Sequence, residues 1–116
     1  VLPLTPETTG IMNAGFFGML ADGAFIINGG RGPQVNDDDL LAALNSGKLG
    51  GAALDVFAVE PLPRDHIFWT HPKVRVWPHV AAQTNATSAA EQVAAAITAM
   101  MDGSEPANRV DWSRGY

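Results

Sequence analysis

Two apolar runs that lack any polar alternation, AFIIN at residues 24–28 and LGGAALDVF at 49–57, constrain this chain more than any other feature. A strand with one wet face alternates polar and apolar residues, whereas a short unbroken run bounded by glycines reads as a strand covered on both faces. Between the two runs lies a helix pattern. Asn36 is a suitable N-cap, Asp37, Asp38 and Asp39 place negative charge on the first turn, and Leu40, Leu41 and Leu44 form an apolar face that Gly47 ends. An earlier helix is expected from Asn13, with Phe16, Phe17 and Leu20 at helical spacing and Gly23 as its stop. Residues 1–10, with Pro3 and Pro6, read as the end of a strand leaving into an extended loop. The order strand, helix, strand, helix, strand implies parallel pairing through right-handed crossovers, so the expected fold is α/β, the second half of a doubly wound sheet.

The remainder is read in the same way. Residues 58–70 form a proline-rich loop, and Val74–Trp77 is a short strand stopped by Pro78. A last helix is expected to start at Thr87 or Ser88, where Ser88-Ala-Ala-Glu91 makes a capping box, with Val93, Ile97, Met100 and Met101 as a packing stripe. The tail after Gly103, with Pro106, Trp112 and Tyr116, has no period and is expected to lie across a surface. A length of 116 residues does not hold two full domains, and a sheet this small leaves a long unpaired edge, so the chain reads as an incomplete fragment. The net charge of −5 with no cluster of Lys and Arg argues against a nucleic-acid partner. No apolar run approaches the ~20 residues of a membrane span, which leaves a soluble, cytoplasmic protein as the expectation. The absence of cysteine removes disulfides and thiolate metal sites.

In an open parallel sheet, ligands bind beyond the carboxyl ends of the strands, and four ionisable residues fall there: Arg31, Asp55, Glu60 and His79. Arg31 offers a planar fork suited to a carboxylate and stands among Gly29, Gly30 and Gly32; the same loop is open to two other readings, a phosphate cradle or a turn with a surface arginine. Histidine is the side chain that exchanges protons near neutral pH, and Glu60 would hold the charged form of His79. His66 and His71, five apart in a proline-flanked loop with Glu60 and Asp65 nearby, lack a metal-binding spacing, so no metal is expected. Trp69 reads as an aromatic packed under a long loop.

LPLTPETTGIMN, GAFIINGGRGPQVNDDDLLAALNSGKLGGAALDVFAVEPLP and HPKVRVWPHVAAQT together resemble the D-isomer-specific 2-hydroxyacid dehydrogenases. The resemblance covers essentially the whole chain, and the closing VDWSRGY is similar to the C-terminus of the glyoxylate/hydroxypyruvate reductase branch. It implies a Rossmann-like NAD(P)-binding domain, with residues 1–82 as its C-terminal half and residues 83–116 as a C-terminal helix and tail returning to the substrate domain. It also implies hydride transfer from NAD(P)H, with NADP favoured, to a small 2-oxo acid such as glyoxylate or hydroxypyruvate, and a homodimer when full length. By the same resemblance Arg31 clamps the substrate carboxylate, Glu60 and His79 form the acid/base pair, and Asp55 bonds the nicotinamide carboxamide. Leu2, Gly29, Gly30, Arg31, His79 and Ala82 match cofactor-lining positions. Gly30 stands where the family commonly has alanine or serine, which is expected to loosen the arginine loop. The GxGxxG fingerprint belongs upstream of Val1 in the family, so this chain alone is expected to be inactive. A non-catalytic, corepressor-like dinucleotide-binding protein of the same fold is the alternative.

Overall fold

The computed structural model describes residues 2–113. The chain divides into two compact units, Val1–Ala81 and Ala82–Tyr116. In the first, α1 (Ala14–Met19), β1 (Ala24–Asn28), α2 (Asp37–Asn45), β2 (Leu49–Leu54) and β3 (Val74–Val76) alternate, with single 3-10 turns at Gly32–Gln34 and Ile67–Trp69. The strands form one sheet in the order β1-β2-β3, and both pairings are parallel. A right-handed crossover requires an intervening element between parallel neighbours, and α2 supplies it between β1 and β2.

Local chemistry sets the element ends. Asn13 Oδ1 accepts the Phe16 amide at 3.2 Å, and Asn36 Oδ1 accepts the Asp39 amide at 3.1 Å, so each helix begins on an asparagine cap. The Asp39 carboxylate also accepts the Ala14 amide at 2.9 Å, which ties the start of α1 to the first turn of α2. Gly47, with φ +83, takes the left-handed conformation that lets α2 turn into β2. Phe17, Leu40, Leu44, Leu49, Leu54 and Phe68 are fully buried between the helices and one face of the sheet. Each such side chain contributes about 1.5–3 kcal/mol relative to exposure.

Several expectations are corrected. The sheet is covered on one face only: Ile26 is buried, while Phe25 and Ile27 on the other side are 74% and 82% exposed. The cause is that α1 and α2 both pack on the Ile26 side, and no other element of this unit reaches the opposite face. β2 stops at Leu54 rather than Phe57: Asp55 still donates its amide to the Asn28 carbonyl, but the Phe57 amide leaves the ladder for Glu60 Oε1. Residues 2–5 are irregular and 6–10 are turns rather than a strand end. Their backbone groups are taken by side chains: the Gln34 amide donates to the carbonyls of Leu2 and Pro3, and Thr8 Oγ1 donates to the Pro3 carbonyl.

The second unit contains α3 (Ala86–Met101). Its cap is Asn85, which accepts the amides of Thr87 and Ser88, both at 3.1 Å. The helix therefore begins one or two residues before the expected start, and Ser88 lies inside its first turn with its hydroxyl donating to the Asn85 carbonyl. The Ser88–Glu91 capping box is not formed. No residue of α3 is buried, and the expected packing stripe is largely exposed, from 54% at Ile97 to 82% at Met101. In the tail Pro106 is half-buried and Trp112 is 91% exposed, and Tyr116 lies outside the described residues. Among the described residues no helix is long and apolar enough to cross a membrane.

Candidate functional site at the carboxyl edge of the sheet

Register places the site. Asn28 pairs with Leu54 and Leu54 with Val76, so the next residues along, Gly29, Asp55 and Trp77, emerge side by side at one edge. The ladder continues one step beyond the strands, since Asp55 N donates to the Asn28 carbonyl and Trp77 N to the Leu54 carbonyl, each at 2.9 Å. Residues distant in sequence are thereby delivered to a single rim by backbone geometry alone.

Asp55 is buried at this rim. One carboxylate oxygen accepts the Val80 amide at 2.8 Å and the other the Ala81 amide at 2.9 Å. The residue before these amides, His79, has φ +57, a left-handed conformation that costs a non-glycine residue about 1–2 kcal/mol. The two Asp55 bonds hold the chain in that conformation, which turns the imidazole toward Glu60. His79 Nδ1 lies 2.8 Å from Glu60 Oε2, and Glu60 Oε1 accepts the Phe57 amide at 2.8 Å. Each carboxylate thus bonds backbone on the neighbouring strand end or its own loop, and the pair is fixed from both sides.

The electrostatics follow from these contacts. The hydrogen bond from His79 is the largest influence on Glu60; with the Phe57 amide it holds the carboxyl below its ordinary value against a smaller opposing effect of burial and Asp55. For Asp55, burial is the largest single influence and raises the pKa, but the amides of Val80 and Ala81 and the nearby imidazole together outweigh it, and the net direction is down. Both groups are therefore carboxylates at neutral pH. With Glu60 ionised, the Nδ1 proton of His79 is directed to it, and Nε2 is left as the nitrogen that exchanges a proton.

Arg31 stands at the adjacent strand end on a loop fastened by two buried side chains. Asn28 Oδ1 accepts the Gly30 amide at 3.0 Å and Asn28 Nδ2 donates to the Arg31 carbonyl at 3.1 Å. Gln34 Oε1 accepts the Arg31 amide at 3.3 Å while its nitrogen donates to Leu2 and Pro3. A methyl group at position 30 would meet Gln34 Oε1 at 2.9 Å and Asn28 Oδ1 at 3.4 Å. The glycine therefore does not loosen the loop as expected; its missing methyl leaves room for the Gln34 clamp. The Arg31 side chain is exposed, with Nη1 donating to the Gly30 carbonyl at 2.9 Å.

Two cavities open at the rim. One of about 420 Å³ is bordered by Glu60 and His79 together with Phe57, Leu62, Trp69 and Trp77. The other, of about 370 Å³, runs along Ile27, Gly29, Ala53, Asp55, Val80 and Ala81 and shares Trp77 and Asp55 with the first. Asp55, Glu60 and His79 are thus brought together and Gly29 lies beside them. Leu2 is half exposed and meets the site only through its carbonyl on Gln34, and Ala82 belongs to the second unit. Sequence reasoning missed the Gln34 clamp and Trp77 as a shared wall; a lone glutamine after a proline carries no periodic or motif signal. His66 and His71 each use Nδ1 to accept a backbone amide, from Phe68 and Lys73. Among the described residues no group of three His, Asp or Glu side chains is arranged to hold a metal ion.

A parallel sheet with crossover helices and a polar rim at its carboxyl edge is a Rossmann-like α/β fold. Residues 1–81 match the family described as D-isomer specific 2-hydroxyacid dehydrogenase, NAD binding domain, and the chain belongs to that family. It is 51% identical over all 116 residues to a protein of Serratia proteamaculans named glyoxylate/hydroxypyruvate reductase A, and 49% identical to one of the same name from Citrobacter koseri. It spans 37% of the length of each. Among solved structures, a D-isomer specific 2-hydroxyacid dehydrogenase from Xanthobacter autotrophicus in complex with NADPH and MES superposes with TM-score 0.95 at 46% identity, over 100% of this chain and 48% of that one. An NADPH-dependent glyoxylate/hydroxypyruvate reductase from Sinorhizobium meliloti in complex with NADP and sulfate superposes with TM-score 0.92 at 43% identity, over 100% of this chain and 38% of that one.

Proposed function

We propose that this chain is the proton-transfer part of an oxidoreductase that reduces a small 2-oxo acid, glyoxylate or hydroxypyruvate, with NADPH. The observation that carries the reading is the 2.8 Å bond between His79 Nδ1 and an ionised Glu60, at a rim where Asp55 fixes the following two amides. The groove fits a flat nicotinamide: Gly29, Ala53 and Ala81 leave room along it, Trp77 and Ile27 offer apolar walls, and each Asp55 oxygen retains a lone pair for a carboxamide N–H. By resemblance Leu2, Gly30 and Ala82 extend that lining, and residues 83–116 return to a substrate domain. The bound cofactor supplies the hydride that reaches the keto carbon.

The remaining chemistry belongs to this chain. Glu60 stabilises the imidazolium and keeps its Nδ1 proton engaged, so the Nε2 proton is the one delivered to the developing alkoxide. In the oxidative direction neutral Nε2 accepts the hydroxyl proton. Arg31 binds the carboxylate through its planar fork, which orients the keto carbon at the rim.

The test is cofactor oxidation by the whole polypeptide that contains this chain, with glyoxylate and hydroxypyruvate, beside His79→Ala. General acid catalysis contributes about 10²–10⁴-fold, so the variant should lose that factor in kcat while binding NADPH as before. NADPH binding with no turnover by either protein would refute the reading in favour of a dinucleotide-binding, non-catalytic protein.

A further inference from the structure

The 3-10 turn at Ile67–Trp69 carries one wall of the cavity that holds Glu60 and His79, through Trp69. The Trp69 indole is itself anchored, its Nε1 donating to the Pro63 carbonyl at 2.8 Å, and the next residue back, Phe68, is buried in the core. What seats this turn is a histidine. His66 Nδ1 accepts the Phe68 amide at 3.3 Å in the role of an N-cap, and its ring packs edge-on against Phe68 at 4.6 Å between centroids. Its other nitrogen, Nε2, faces the Asp37 carboxylate of α2 at 3.8 Å.

These contacts define one protonation state. An Nδ1 that accepts an amide N–H is unprotonated, so the proton of neutral His66 is on Nε2, toward Asp37. Protonation at Nδ1 would remove the cap and set one N–H against another. The charged groups around the ring are Asp37 on the packed helix, with Asp38 beside it, and Arg64 and Asp65 on its own loop. Burial raises the Asp37 carboxyl above its ordinary value, outweighing the opposing effect of the nearby imidazole.

We propose that His66 is a positioning residue for the cavity of Glu60 and His79: by capping the Ile67–Trp69 turn and packing its ring on Phe68, its neutral form sets where Trp69 stands beside Glu60 and His79, and thereby which 2-oxo acids fit. The proposal rests on the reductase reading for its kinetic consequence but not for its structural one. His66→Ala in the whole polypeptide should raise KM for glyoxylate measurably, by at most about fivefold, the limit set by the loss of one cap from the equilibrium that seats the turn, with kcat changed less than about twofold. His66→Asn restores an acceptor at the cap and should restore KM.

A second measurement is independent of turnover. In 5-fluorotryptophan-labelled protein the Trp69 resonance, assigned by its loss in Trp69→Phe, should shift on acidification in the wild type. It should be displaced at all pH values in His66→Ala, and in His66→Asn it should stay at the neutral wild-type position with a smaller acid shift. A Trp69 resonance that is the same in all three proteins overturns the proposal, as does a His66→Ala protein that is less stable but has unchanged KM. Absence of turnover in every protein with the expected fluorine shifts would sink the reductase reading and leave the positioning role standing.

Discussion

Gly32→Ala is the perturbation with the most determinate outcome. A Cβ at this position would lie 1.8 Å from the Phe57 carbonyl carbon, 2.0 Å from its oxygen and 2.4 Å from the Ala58 nitrogen. The favourable separation for carbon atoms is about 3.5–4.0 Å, so the two backbones must part by about 2 Å. Neither partner is the end of a flexible side chain. Gly32 opens the turn that follows Arg31, and Phe57 donates its amide to Glu60, so the displacement separates the arginine loop from the acid/base loop. Overpacking costs about 1–3 kcal/mol and more when backbone must move, which sets the expectation at about 3 kcal/mol. With a urea m-value of about 2 kcal/mol/M this is a fall of about 1.5 M in the midpoint. The control is Gly18→Ala: position 18 is helical with nothing within 4 Å of the added methyl, and the change should stabilise by about 1 kcal/mol. Both midpoints are read from urea titrations followed by tryptophan emission. A Gly32→Ala midpoint within about 0.5 M of the parent, on the same m-value scale, would show that the close approach of the two loops does not constrain them.

The other outcomes follow from single contacts. On the proposed function, Arg31→Lys keeps the charge but loses the fork; it should cost about 1.5–3 kcal/mol of carboxylate binding, or ~10–100-fold in KM for the 2-oxo acid. Gln34→Ala leaves the Arg31 amide and the Leu2 and Pro3 carbonyls without their partner, and should cost about 1–3 kcal/mol by urea titration while raising KM in the same direction as Arg31→Lys. Glu60→Gln should be less stable than the parent at neutral pH. Because the folded Glu60 pKa is depressed, the difference is fully present above the ordinary carboxylate value of about 4.3 and closes as pH falls through the lower native value. Urea midpoints of both proteins across that range check the sign; a gap that widens in acid contradicts the pairing.

What was legible in the sequence was what periodicity and caps encode. The run at 24–28 and the first six residues of the run at 49–57 are strands because their apolar character is unbroken, and Asn13 and Asn36 cap helices as their spacing requires. Two-sided coverage was not legible, because an apolar run states what a strand can tolerate and not which elements this chain carries to cover it; Phe25 and Ile27 show the difference. The start of α3 was misread for a related reason. Ser88-Ala-Ala-Glu91 satisfies the capping pattern, but Asn85 three residues earlier is an equally good cap whose side chain takes the Thr87 and Ser88 amides, so the helix extends to it.

The site divides along the same line. Arg31, Asp55, Glu60 and His79 could be placed at one rim from the strand order alone, since the residue after each parallel strand emerges at the same edge. What fixes them there could not, because it is made of backbone groups that sequence does not distinguish. His79 is held in a left-handed conformation by an aspartate 24 positions earlier bonding the next two amides, and Arg31 is held by a glutamine whose carbonyl oxygen occupies the space a methyl at position 30 would take. The absence of a side chain at Gly30 and the presence of Gln34 are therefore one feature. Restoring the methyl with Gly30→Ala should cost the Gln34 clamp, whereas the double change Gly30→Ala with Gln34→Ala should cost less than the sum of the two single changes.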